Sequence, residues 1–137
     1  MKKKLTVFYY DLEGNIEKER LSGDLLLDNK FVIREIPLFV PNLALNDIVE
    51  VEEDEGHLFF ADLVKASGNI TIHIVLLKNS FENLFSIIRE NRGTIRRFGE
   101  SYLAVNFTLL DDYMKTKSIL DFYELKNVIS YKESCLG

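Results

Sequence analysis

Apolar and polar residues alternate along the first half of the chain with the period of two that suits half-buried strands. "KLTVFYY" (4–10) and "NIEKERL" (15–21) flank "DLEG", where Gly14 can take the positive φ of a hairpin loop. "KFVIREI" (30–36) predicts a third strand, stopped at Pro37 because proline has no N–H to give a ladder. Ile36 and Val40 each precede a proline, which drives both toward extended backbone. "DIVEVEE" (47–53) and "HLFFADLVKA" (57–66) predict two more strands, with "DEG" as a three-residue hairpin loop and Gly56 left-handed.

The rhythm then changes. "ITIHIVLL" (70–77) is nearly all apolar, as in a strand central to its sheet. "NSFENLFSIIRENRG" (79–93) places Phe81, Leu84, Phe85 and Ile88 at helical spacing, with Asn79 and Glu82 as a capping pair and Gly93 at the C-terminal stop. "TIRRF" and "SYLAVNF" flank "GE", a two-residue loop with glycine first, which fits a type II′ hairpin. "TLLDDYMKTKSILDFYELKN" predicts a second helix, with Asp111 and Asp112 near its positive end, and "NVISYK" a last strand. Both helices are expected to present one apolar stripe to the same sheet face.

These elements predict an α+β protein. A small antiparallel β-sheet or barrel (1–66) precedes a ferredoxin-like βαββαβ half (67–137). No Gly/Ser-rich linker divides them, so a core shared through residues 60–77 is expected.

Composition narrows the function classes. No stretch approaches the roughly 18 consecutive apolar residues of a membrane span, and "MKKKLTVFYY" is too short and lacks the small-residue cleavage site of a signal peptide. One cysteine, Cys135, excludes an internal disulfide framework, and the cytoplasm is the expected compartment. The formal charge of −5 argues against a nucleic-acid partner. The charge is also unevenly spread. Residues 35–64 hold eight acids and no Lys or Arg, leaving 17 basic and 14 acidic residues elsewhere.

The run from Ile36 to Leu76, "IPLFVPNLALNDIVEVEEDEGHLFFADLVKASGNITIHIVL", resembles the bacterial domain-of-unknown-function family 4265. The proline-bounded loop Ile36–Val40, the strand start Asn46–Glu50 and the turn Ser67–Ile72 carry the resemblance. Asn46 stands where glycine is common, and His73 where arginine is expected. The family supplies no activity to transfer residue by residue. Small acidic bacterial domains of this kind sometimes neighbour toxin genes, so the resemblance adds weight to an immunity role.

Candidate chemistry is sparse. "EEDEGH" lacks the alternating ligands of a calcium loop, and two histidines with one cysteine do not make a zinc site. Cys135 lies beyond the last predicted strand, with nothing to hold it against a base. His73 shares a strand side with Thr71 and Val75, the setting of a sheet histidine. No catalytic residue, metal or cofactor is expected. Arg89, Arg92, Arg96 and Arg97 could form a phosphate site, but Arg89 and Arg92 also suit the negative end of the first helix.

The first reading is therefore a non-catalytic binding protein, an immunity-type inhibitor docking a basic toxin domain. Asp47, Glu50, Glu52, Glu53, Asp54 and Glu55 would steer it, with Phe39, Phe59 and Leu43 as apolar anchors. The alternative is a ligand-sensing ferredoxin-like module with a small-molecule pocket between its halves.

Overall fold

The computed structural model describes residues 2–78 and 82–137. Five strands, β1 (Lys2–Tyr10), β2 (Ile16–Leu25), β3 (Lys30–Ile33), β4 (Ile48–Asp54) and β5 (His57–Lys65), pair in chain order as antiparallel neighbours. They close into a barrel. A five-strand meander brings its first and last strands together in one direction, so closure is parallel, at Leu5–Leu58 and Thr6–Phe59. Leu5, Val7, Leu21, Phe31, Ile33, Val49, Val51 and Leu58 fill the interior. Gly23 joins this core through what it lacks. A Cβ there would lie 2.1 Å from the Val32 carbonyl oxygen and 2.4 Å from the Phe31 ring.

The second half runs β6 (Ile70–Leu76), α1 (Glu82–Glu90), β7 (Thr94–Phe98), β8 (Tyr102–Phe107), α2 (Leu110–Leu125) and β9 (Ile129–Cys135). Its sheet order is β7-β8-β6-β9, with every neighbour antiparallel, so the chain as a whole is α+β. Ile70, Ile72, Ile74, Leu103, Val105 and Phe107 pack on Leu84, Ile88, Tyr113 and Leu120 of the helices. Side chains alternate across a strand. Thr71, His73, Tyr102, Ala104 and Asn106 consequently share the opposite face.

That face meets the proline segment. The chain leaves the barrel after Ile33 and returns at Asp47, and the excursion is closed at its base. Ile33 N–H donates to the Asp47 carbonyl at 3.0 Å, and Asn46 N–H to the Ile33 carbonyl at 2.7 Å. β3 therefore ends at Ile33, before Pro37 is reached. Val40 and Leu43 turn into the barrel core, whereas Ile36 and Leu38 pack on Ala104 of the sheet. The two halves thus have separate cores joined by this segment. Residues 61–68, expected to continue the core, are exposed.

Several local expectations change. Asp54 pairs with His57, so the β4–β5 loop is Glu55–Gly56, both at positive φ (51° and 83°), a two-residue turn. Phe98 pairs with Tyr102, so the β7–β8 loop has three residues, Gly99, Glu100 and Ser101. Arg92, with φ 64°, takes the left-handed position expected of Gly93. Gly93 is required by space, since a Cβ would come 2.5 Å from Ile88 Cγ2. The Asn79–Glu82 capping pair and Phe81 lie outside the residues whose side chains are described. α2 lacks a single apolar stripe. Tyr113 and Leu120 are buried, but Leu110, Met114, Phe122 and Leu125 are exposed on other sides.

Candidate functional site

Glu19 sits in the inward register of β2 with Leu21 and Gly23, where a carboxylate needs partners to offset its lost hydration. It finds them in the proline segment. Its Oε2 accepts Leu38 N–H at 2.8 Å, and its Oε1 accepts Phe39 N–H at 2.9 Å and Val40 N–H at 3.1 Å. Arg96 of β7 reaches the same place from the sheet. Its Nη1 donates to the Ile36 carbonyl at 2.7 Å, and its guanidinium lies 3.8 Å from Glu19 and 3.1 Å from Glu35. Burial opposes ionisation of Glu35, but hydrogen bonds from Ser22, with Arg96 and Lys4, outweigh it and hold its pKa below the ordinary value.

The sheet contributes two further ties. Tyr102 OH donates to the Leu38 carbonyl, and His73 Nε2 lies 2.9 Å from the Pro37 carbonyl. A carbonyl can only accept, so Nε2 carries the proton and Nδ1 is a bare lone pair without a partner among the described residues. Burial lowers the His73 pKa to about 4; the Pro37 bond opposes the shift and the Lys132 charge adds to it. Burial, then the charges of Glu19 and neighbouring groups, raise the pKa values of Tyr9 and Tyr102, so both phenols stay neutral.

Held this way, Phe39 stands between two rings. Tyr9 is stacked at 6.2 Å and Tyr102 at 5.0 Å, with Phe98 edge-on at 5.2 Å. Of these rings, Tyr9, Phe39 and Tyr102 border a pocket of about 640 Å³ between the barrel and the sheet. Tyr9, Tyr10, Asp11, Leu12 and Glu17 come from the β1–β2 hairpin. Phe39 and Pro41 come from the proline segment, and His73, Val75, Tyr102, Ser130, Tyr131 and Lys132 from the sheet.

The residues singled out from sequence do not gather here. Glu50, Glu52, Glu53, Asp54 and Glu55 are exposed on β4 and its hairpin. Asp47 is buried at 1% exposure, where it accepts Ala44 N–H at 2.9 Å and Ser67 N–H at 2.8 Å, so it braces a turn and meets no solvent. Phe59, half-buried on the barrel exterior, stacks on Phe8 at 6.1 Å. Leu43 is buried in the barrel core. Phe39 alone of the set lines the pocket.

The acidic run is also less segregated in space than in sequence. Lys30 pairs across from Glu50, and a cleft of about 350 Å³ brings Lys2, Lys3, Lys4 and Arg20 beside Glu53. The four arginines are occupied within the fold. Arg89 and Arg97 lie over the Phe85 ring, Arg92 holds Asp112 through two hydrogen bonds, and Arg96 serves the proline segment. Among the described residues no three His, Cys, Asp or Glu side chains gather closely enough to hold a metal, and no helix is long and apolar enough to cross a membrane.

Sequence reasoning missed Glu19, Tyr9 and Lys132. One signal was present: Glu19 shares its strand parity with Leu21 and Gly23, and a charge in an inward register implies buried partners.

The profile of a family described as "Domain of unknown function (DUF4265)" matches residues 19–131, and the chain belongs to that family. The chain is similar to a crystal structure of a hypothetical protein from Neisseria gonorrhoeae. The two are 54% identical with a TM-score of 0.94, covering 100% of this chain and 96% of the other. No curated protein matches the chain.

His73 yields a prediction. The unfolded histidine takes up a proton near 6.5, whereas the folded one resists until about 4. Between those values the unfolded chain binds more protons, so the contribution is complete above pH 6.5 and is lost as pH falls toward 4. At most it amounts to about 3 kcal/mol. His73→Gln keeps a donor for Pro37 and should show a flatter stability profile over that window in urea unfolding. A variant as steep as the wild type would place the acid sensitivity elsewhere.

Proposed function

We propose that this member of the DUF4265 family is a non-catalytic, ligand-sensing module that binds a small molecule between its barrel and a ferredoxin-like half. The pocket itself carries the reading. Its volume, about 640 Å³, lies within the roughly 300–1,000 Å³ usual for ligand sites, and its lining sets the rings of Tyr9, Tyr10, Phe39, Tyr102 and Tyr131 beside the polar groups of Asp11, Glu17, His73, Ser130 and Lys132. The ferredoxin-like reading of the second half rests on its βαββαβ order, its sheet order β7-β8-β6-β9, and both helices on one face. Walls drawn from both halves would let occupancy bias their relative position, which is what a sensor requires.

The test is a screen of small aromatic compounds by NMR. Binders should shift the ring resonances of Tyr9, Phe39 and Tyr102. Ser130→Trp, which fills the pocket from an exposed strand position, should abolish those shifts without unfolding the protein. Compounds that never move these rings at millimolar concentration, or that bind the tryptophan variant equally well, would contradict the proposal.

A second reading keeps the acidic hairpin as a docking edge for a basic protein such as a toxin domain. It is favoured by one observation: Glu50, Glu52, Glu53, Asp54 and Glu55 are exposed, and their carboxylates make no hydrogen bond or ion pair among the described residues. Long-range attraction from such a cluster raises association rates and weakens with salt. Replacing Glu52, Glu53 and Glu55 by glutamine should leave folding intact, slow association with a basic partner and flatten its salt dependence. An unchanged on-rate in stopped-flow binding would leave the hairpin as a solubility feature.

A further inference from the structure

The charges around the pocket are divided between its two walls. Asp11 and Glu17 stand on the barrel side, on the β1–β2 hairpin, and Lys132 stands on the sheet side, on β9. Asp11 spends Oδ1 on the N–H groups of Glu13 and Asn15, each at 2.9 Å. Glu17 and Lys132 are exposed, and their charged groups make no hydrogen bond or ion pair among the described residues. The rings of Tyr9, Phe39 and Tyr102 line the same pocket. His73 lines the pocket at 2% exposure, with Nδ1 unpartnered among the described residues, and adds a polar group without a net charge near neutral pH.

A ligand with one charge would satisfy one wall and desolvate the opposite charge on the other. A neutral apolar ligand would do so at both. A ligand carrying both charges pairs with each wall and lays its apolar body on the rings.

We infer that the pocket takes a zwitterion with a flat aromatic body, its ammonium toward Glu17 and Asp11 and its carboxylate toward Lys132. This rests on the pocket being a ligand site and adds the class of ligand. It involves no covalent step.

Four probes sharing one ring system separate the possibilities. L-tryptophan carries both charges, tryptamine only the ammonium, indole-3-propionate only the carboxylate, and 3-methylindole neither. The chain has no tryptophan, so indole emission reports the probe alone. L-tryptophan should bind tightest, with each singly charged probe about fivefold weaker, as expected for one partly exposed ion pair. Lys132→Gln should weaken L-tryptophan about fivefold without weakening tryptamine; Glu17→Gln should weaken L-tryptophan without weakening indole-3-propionate. Both positions are exposed, so neither variant threatens the fold.

If 3-methylindole or a singly charged probe matches L-tryptophan, the zwitterion inference fails while the pocket remains a ligand site. If none of the four alters its emission or shifts the pocket rings, the ligand-site reading falls as well.

Discussion

The Glu19 carboxylate accepts three successive backbone N–H groups from Leu38, Phe39 and Val40, and the relation between the two halves depends on it. Bringing a carboxylate to 7% exposure costs several kcal/mol unless it is well bonded. Here three donors and the nearby Arg96 guanidinium offset that cost, and a segment without regular structure acquires a fixed path. Bonds to a charged acceptor are roughly twice as strong as neutral ones. With its donors satisfied by Glu19, the segment offers its carbonyls the other way. Arg96 takes Ile36, His73 takes Pro37 and Tyr102 takes Leu38. The barrel binds one side of the segment's backbone and the sheet the other.

The pocket follows from this. Phe39 can stack between Tyr9 of the barrel and Tyr102 of the sheet only because its backbone is pinned from both directions. The hairpin that carries Tyr9 also carries Asp11 and Glu17, while β9 beside His73 carries Lys132. Opposite charges on opposite walls are thus a product of how the halves meet. Neither half alone would form a concave site with these groups, which is why the functional reading concerns the junction.

The alternation of apolar residues made the strands and their order legible. The continuous apolar run of residues 70–77 correctly pointed to a central strand, since β6 lies between β8 and β9. Two kinds of feature were hidden. Turn lengths depend on register, and one residue of slip changed both hairpin loops. Surface electrostatics depends on which strands become neighbours. The acids of residues 47–55 look isolated along the chain, yet barrel closure sets β1, with Lys2, Lys3 and Lys4, beside β5 and the acidic hairpin. Asp47 shows the same limit, reading as one more surface acid while its carboxylate is used inside. Pro37 and Pro41 were visible, but the buried acid that organises their segment, Glu19, lies far upstream on another strand.

Amide hydrogen exchange at residues 38–40 addresses the central claim most directly. Segments without regular structure ordinarily exchange by local opening that costs little free energy. If Glu19 fixes this one, the Leu38, Phe39 and Val40 amides should exchange as slowly as core amides of β6, and Glu19→Gln should speed them selectively while β6 stays protected. Exchange at these three amides as fast as at exposed loop positions in the wild-type protein would contradict the account.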